Sequence, residues 1–459
     1  MNSIFPVTGK EPEAASGRMK PLTLRDNFAW TTCGNIIYSL CSWLILTVIA
    51  KLGDTTMVGQ FALSLAVIQP VIAFSQLNLG QVQMTDARRE YRFGDYLGLR
   101  LITNAVALTT LILMTFHGGY GQETGAVILI TGVGLAFDAI GDVTFGLLRQ
   151  HERMDRIAIS MAAEGVLSLV LLTTGLVVFH SIVWAAAGSA LASALVALAY
   201  DIPNAVWVLR ISDRDPQCLI TILGRFSLPK PHGDLRMLAR LAWLALPLGT
   251  IMLLIALNNN ISRYFVEHYL GVRELGIFSA LISFVAAGRI VTLALGQSAT
   301  PRLARYYAEG NRQGFISLLL RLLLVGAACG LAAPVVALVA GRQILTFFYT
   351  PEYARHLDVF VIFLAAGGAG YLCSFLGYGI TAARYFKIQT VTLAAVTAVT
   401  AATCAWLVPA YGLRGAAWSA VLVSGTQIVI NLIILRHVLK ALPASSRVEL
   451  PTPLEGSAA

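Results

Sequence analysis

The chain has 459 residues, 57% of them hydrophobic and 12% charged, and carries a net charge of +9. A soluble domain is about 25% charged and about 45–50% apolar, so these values exclude a soluble globular enzyme, a disordered chain and a collagen-like fibre. What remains is an all-α polytopic membrane protein.

Segment 1–27 comes first. It is polar, contains Pro6, Pro12 and Pro21, and lacks the apolar core of a signal peptide, so it reads as a cytoplasmic tail. Twelve apolar windows follow, each long enough to cross a bilayer as a helix: 28–50, 57–80, 96–116, 124–148, 157–179, 183–209, 238–261, 275–298, 315–339, 357–382, 388–408 and 414–435. They are too long and continuous for barrel strands, which alternate over ~10 residues. Pro203, Pro247 and Pro334 fall inside spans and mark kinks. The reading gives an N-lobe over 28–209, a cytoplasmic linker over 210–237, a C-lobe over 238–435 and a second cytoplasmic tail over 436–459. The six cysteines contain no CxxC pair, so neither a disulfide framework nor a metal site is expected.

Basic residues set the orientation. With the N-terminus inside, 23 of the 33 Lys and Arg fall on inside segments, among them Arg88, Arg89, Arg149, Arg153, Arg156, Arg384 and Lys387. The outside loops hold only Lys51, Arg263, Arg273, Arg342, Arg355 and Arg414. This asymmetry, sustained over alternating spans, predicts both termini in the cytoplasm. The short outside loops leave no room for an external catalytic domain.

The halves repeat. Lys51-Leu52-Gly53 followed by Val58-Gly59-Gln60-Phe61-Ala62-Leu63 matches Tyr269-Leu270-Gly271 followed by Leu275-Gly276-Ile277-Phe278-Ser279-Ala280-Leu281. Ala87-Arg88 with Gly94 matches Ala304-Arg305 with Gly310, and Ala185 to Ala190 lies near the position equivalent to Gly415 to Ala420. Three matches in order predict a parallel 6+6 repeat related by an axis along the membrane normal. Such a repeat places a cavity between two bundles and suits alternating access.

These joints also resemble a family. The Leu52-Gly53 to Ala62 joint, its echo Leu270-Gly271 to Ala280, Pro301-Arg302-Leu303-Ala304-Arg305, Phe347 to Tyr353, and Val408 to Ala417 are similar to elements of the polysaccharide-biosynthesis membrane proteins, the O-antigen and exopolysaccharide repeat-unit flippases. That family belongs to the multidrug/oligosaccharidyl-lipid/polysaccharide exporter superfamily. The resemblance covers about residues 28–440. It implies a V-shaped pair of six-helix lobes in a bacterial inner membrane. It also implies translocation of an undecaprenyl-pyrophosphate-linked oligosaccharide to the periplasmic leaflet. Expected partners are that substrate, membrane lipids, H⁺ or Na⁺, a polysaccharide polymerase and a chain-length regulator. No cofactor and no nucleic acid are expected.

Ionisable residues at bilayer depth are costly and mark function by default. Arg289 is the first candidate for the pyrophosphate, because a guanidinium offers forked donors and stays charged. Arg321, Arg263 and Arg100 stand behind it, with snorkelling or structural pairing as the competing account. Asn35, on a polar face of span one with Ser39 and Ser42, and Asn259, in the strip Asn258-Asn259-Asn260, are candidates for glycan contact. Interhelical hydrogen bonding explains them equally well. Asp138 and Asp142 share a face of span four, and Glu164 and Asp201 lie in spans five and six. These four acids are candidates for ion coupling, against structural pairing with arginine.

Three alternatives compete. A multidrug or metabolite antiporter of the superfamily typically carries an acid in an early span, and spans one and two have none. A lipid II flippase usually has two further spans. A membrane glycosyltransferase or polymerase needs a sizeable aqueous domain. No GxxxxGK[ST], HExxH or GxSxG element is present.

Overall fold

A computed structural model describes residues 22–86, 90–212, 219–222, 226–229, 234–383 and 385–440. Most of both expected tails, together with Arg88, Arg89 and Arg384, lies outside these residues.

The chain forms α1 (Leu24–Leu52), α2 (Thr55–Ser75), α3 (Leu79–Thr85), α4 (Phe93–His117), α5 (Gln122–Gln150), α6 (Met154–Phe179), α7 (Ile182–Val196), a π-helical segment (Ala197–Asp201) and α8 (Ile202–Ser212). A hairpin of β1 (Leu219–Ile222) and β2 (Phe226–Pro229) follows in the linker, paired antiparallel with Leu219 opposite Pro229. Then come α9 (Leu235–Leu270), α10 (Val272–Ala308), α11 (Arg312–Phe348), a 3₁₀ turn (Tyr353–His356), α12 (Leu357–Ala382) and α13 (Phe386–Lys440).

Helix starts follow local chemistry. Asp54 Oδ1 accepts from the Met57 amide at 2.7 Å, and Asn311 Oδ1 from the Gly314 amide at 2.8 Å. Each satisfies an orphan donor of the first turn. Ten of the described helices are long and apolar enough to cross a membrane. One of them bends back at Gly412, whose φ of 59° breaks α13 into two passes. With α10 beside them, the architecture is consistent with the twelve expected spans.

The first six passes pack on one another, with α1 against α6, α5 against α7 and α4 against α5. The last six pack through α12 against α11, α10 and α13. We call the end where α1 begins and α13 finishes the near face, and the other the far face. The lobes meet at the far face, where a continuous core joins Ile49, Val58 and Phe61 to Phe278, Tyr349 and Phe360. Trp43 stacks edge-on against Phe284 and Phe348, with ring centroids 5.8 and 5.1 Å apart.

One seam between the lobes is closed along its whole length. Tyr264 Oη donates to the Ala66 carbonyl at 2.5 Å. Asn260 Nδ2 donates to Gln69 Oε1 at 2.9 Å. Leu77 lies against Gly249. At the opposite seam, α1 meets α10 through Trp43 and Phe284. Towards the near face, Asn35 and Leu40 of α1 are exposed.

The first turns of α9 do not stay with the C-lobe. Leu238, Leu241 and Ala245 are buried in a core with Leu79, Leu97, Val143 and Val208 of the N-lobe. Pro247 follows at once. It lacks the N–H that would bond one turn back, which eases bending there.

Pro203 acts differently. Its missing N–H leaves the carbonyl four residues earlier without the usual α-helical partner. The preceding turn widens to π geometry, with the Ile202 amide donating to Ala197. Pro334 sits inside α11.

Candidate functional site

Two polar regions lie inside the bundles, one in each lobe. In the C-lobe, α9, α10, α12 and α13 surround a cavity of about 520 Å³. Arg289 of α10 and Asn259 of α9 line it, with Tyr371, Ser374, Gln389, Thr392, Ser424, Gln427 and Asn431. Several of these side chains are held in place. Gln389 Nε2 donates to Thr381 Oγ1 at 2.7 Å and to the Gly377 carbonyl at 3.1 Å. Asn431 Nδ2 donates to the Cys373 carbonyl at 3.2 Å, and Tyr371 Oη to the Val285 carbonyl at 3.1 Å. Arg289 has no ion-pair partner among the described residues, so its five donors remain for a ligand.

The sequence reading found Arg289 and Asn259 but missed the rest of this lining. A signal was available: Ser424, Gln427 and Asn431 recur at three and four, one polar stripe on the last pass. Small and amide side chains of that kind are easily taken for helix–helix contacts.

The other tentative ligand residues lie elsewhere. Arg263 belongs to the closed seam, where its Nη1 donates to Asn260 Oδ1 at 2.8 Å. Through Asn260 it is tied to Gln69 of the opposite lobe. Asn35 is exposed on α1, and its Nδ2 donates to the Thr31 carbonyl at 2.7 Å. Arg321 does not line the cavity. It is exposed on α11 beside Arg312, Ser317 and Leu324, on the outer wall of the C-lobe. At 1.5 Å per residue, Arg321 and Arg342 stand ~31 Å apart along α11, which matches the hydrocarbon thickness of about 30 Å. Arg321 faces outwards from the C-lobe rather than into its cavity.

Arg100 does not line this cavity either. It is completely buried inside the N-lobe and pairs with Asp142, Nη2 to Oδ2, at 3.0 Å. Arg149 approaches the other oxygen of Asp142 at 3.9 Å. A substrate candidate and a coupling candidate are therefore partners. Asp142 shares a helical stripe with Asp138, but α4 claims it.

The other three acids come together. Ser160 Oγ donates to Asp201 Oδ1 at 2.6 Å, both residues being buried. Asp138 lies within hydrogen-bonding reach of Ser193 and Glu164, and Asp201 is close enough to act on Glu164 electrostatically. Tyr38 of α1 faces Glu164 and Asp138. The π turn delivers Asp201 to this group. None of the three acids has a basic partner among the described residues. A second layer lies one turn nearer the near face, where Arg156 donates to Asn204 and stacks over Trp207 at 3.7 Å. Among the described residues no His, Cys, Asp and Glu group has the arrangement of a metal site.

Comparison with known proteins gives a consistent picture. A family model described as polysaccharide biosynthesis protein matches residues 24–307, and the MatE model matches residues 247–407. A capsular polysaccharide biosynthesis protein, CapF of Staphylococcus aureus, is 26% identical over 398 residues, covering 85% of this chain and 94% of the relative. Among solved structures, an inward-facing multidrug resistance transporter of the MATE family superposes with a TM-score of 0.66 at 12% identity, over 88% of this chain and 96% of its own. The lipid II flippase MurJ in an inward closed conformation gives 0.67 at 11% identity, over 89% and 87%. At such identities the superpositions establish the shared fold alone.

Proposed function

Because the chain belongs to the polysaccharide biosynthesis protein family, we propose that it carries an undecaprenyl-pyrophosphate-linked oligosaccharide across a bacterial inner membrane by alternating access. The chain is a multi-pass membrane protein with the transporter fold of its superfamily. The finer reading rests on one observation. The C-lobe cavity sets amides, hydroxyls and one arginine without an ion-pair partner, Arg289, among apolar side chains such as Ile255, Val285 and Leu393. Amides and hydroxyls suit sugar hydroxyls, and a forked cation suits pyrophosphate oxygens. The capsular relative supports a surface glycan as the cargo.

In this reading both termini are cytoplasmic, and the far face is periplasmic. The lobes, 28–209 and 238–435, rock about the closed seam, joined by the linker 210–237. The tails 1–27 and 436–459 stay in the cytoplasm. Asp138, Glu164 and Asp201 are the coupling group. A proton or Na⁺ taken up there reduces the repulsion among three clustered carboxyls, so its binding can bias the lobe arrangement. Arg100 and Asp142 are structural. A polymerase and a chain-length regulator would act on the delivered product.

Leaflet exchange is the direct test. The purified protein is reconstituted in vesicles with undecaprenyl-pyrophosphate oligosaccharides, and exchange between leaflets is measured. Exchange that requires Arg289 supports the proposal. Efflux of organic cations with no exchange across a broad glycan panel would overturn it.

A further inference from the structure

The far-face junction contains a cationic hollow to which the proposed transport assigns no role. Lys51 ends α1 in the N-lobe. Its Nζ donates to the carbonyls of Thr346, Phe347 and Tyr349 at 3.0, 3.1 and 2.9 Å, across the junction at the end of α11. These are the orphan carbonyls of a helix C-terminus, where the dipole favours a cation. Lys51 thus caps a helix of the other lobe.

Beside it, one turn back on α11, stands Arg342. Lys51, Arg342, Gln343, Thr346 and Phe347 line an open hollow of about 730 Å³. Arg342 is exposed and has no ion-pair partner among the described residues. The carbonyls satisfy the hydrogens of Lys51, yet no carboxylate among the described residues pairs with it. Two cations from two lobes therefore face one hollow. The α11 spacing sets their depth. With Arg321 at one hydrocarbon boundary, Arg342 lies at the other, at the level of lipid phosphates. Phe347, further along α11 and 74% exposed, forms the apolar rim of the hollow.

We propose that this hollow binds the phosphate of an anionic phospholipid from the far-face leaflet, and that the bound lipid holds the lobes closed there. The placement of that leaflet as periplasmic rests on the orientation proposed above. The fork of Arg342 takes two phosphate oxygens, and Lys51 adds charge. The site is complete only while Lys51 remains at the end of α11. When the lobes part at the far face, one of its two cations leaves. A ligand that binds only one arrangement shifts the population towards it. An anionic outer leaflet would then favour return to the arrangement seen here, ready for the next cargo.

The test reads lobe positions and needs no transport. Spin-labelled unnatural residues replace Glu152 and Glu309, on the near-face turns of the two lobes, and their separation is measured by pulsed electron resonance. The protein is placed in phosphatidylcholine vesicles with or without phosphatidylglycerol, or with undecaprenyl diphosphate. Phosphatidylglycerol should raise the ratio of far-face-closed to far-face-open protein by roughly fivefold, the low end of ordinary coupling. Arg342→Gln should abolish the response, whereas Arg312→Gln on the same helix should keep it. Lys51→Gln should lower the closed fraction even in phosphatidylcholine, because the cap is lost. An equal response in Arg342→Gln, or none in the unaltered protein, overturns the proposal. A response to undecaprenyl diphosphate alone also overturns it, making the hollow a cargo site. If the chain moves no glycan, this measurement still stands or falls by itself.

Discussion

Gly59 and Gly276 sit face to face across the far-face junction, and each leaves room for the backbone of the other helix. A Cβ on Gly59 would collide with the Val272 carbonyl oxygen, and one on Gly276 with that of Thr55. The two glycines are equivalents in the internal repeat, so the pseudo-symmetry axis passes between them. Gly59→Val or Gly276→Val should therefore prevent the junction from closing. We expect leaflet exchange to fall by at least tenfold, with the lobe separation at the near face shifted to shorter values. Unchanged separation would mean that the helices slide past the added methyls.

Arg289 is the residue on which cargo recognition rests. A hydrogen bond to a charged group is worth about 1.5–3 kcal/mol, roughly ten- to hundredfold in rate or affinity. Arg289→Ala should lower exchange by that factor at equal protein level. Arg289→Lys should fall between, because an ammonium keeps the charge but not the fork. Arg321→Ala, on the outer wall, should leave exchange unaltered.

The acids of the N-lobe should separate into two behaviours. Asp142→Asn removes the partner of a completely buried guanidinium. Breaking a buried pair costs about 3–5 kcal/mol, and the low end applies because the Asp142 side chain is 29% exposed. The expected result is a lower melting temperature in detergent. Asp138→Asn and Asp201→Asn break no ion pair. They should melt near the unaltered protein but lose the response of transport to an imposed H⁺ or Na⁺ gradient. A gradient response that survives in both would remove this group from the coupling role.

Asn260 of α9 joins its helix to α2: it donates to Gln69 and to the Ala256 carbonyl, and accepts from Arg263. Asn260→Leu would leave Arg263 in the seam without its acceptor, at about 1–3 kcal/mol, and would remove the inter-lobe hydrogen bond to the exposed Gln69. Lower thermal stability, with a larger fraction of protein parted along the α2–α9 seam, is the outcome to look for by cross-linking of introduced cysteines.

The spans were legible because hydrocarbon demands long apolar helices, and the repeat because Leu52-Gly53 and Leu270-Gly271 end equivalent passes. The site was less so. Arg289 and Arg321 look alike in sequence, since each is a lone cation in an apolar run. Only the third dimension separates a residue facing a cavity from one facing a leaflet boundary. Asp138 and Asp142 share a stripe, yet Arg100 decides which of them is ion-paired. That decision depends on how α4 rotates against α5, which helical periodicity alone cannot give. Ser160 gave no signal either, since a single serine in a span ordinarily bonds its own helix.

The first turns of α9 are built into the N-lobe, and its later turns into the C-lobe. The frontier between the two moving bodies therefore lies inside one helix, near Pro247, and not in the loop where the sequence divides. Any rocking of the bodies must flex α9 or peel its opening turns away from Leu97 and Val143. The helix then works as a leaf spring. Its stiffness sets how far and how fast the bodies travel, and it is a place where a distant substitution can change turnover without touching cargo.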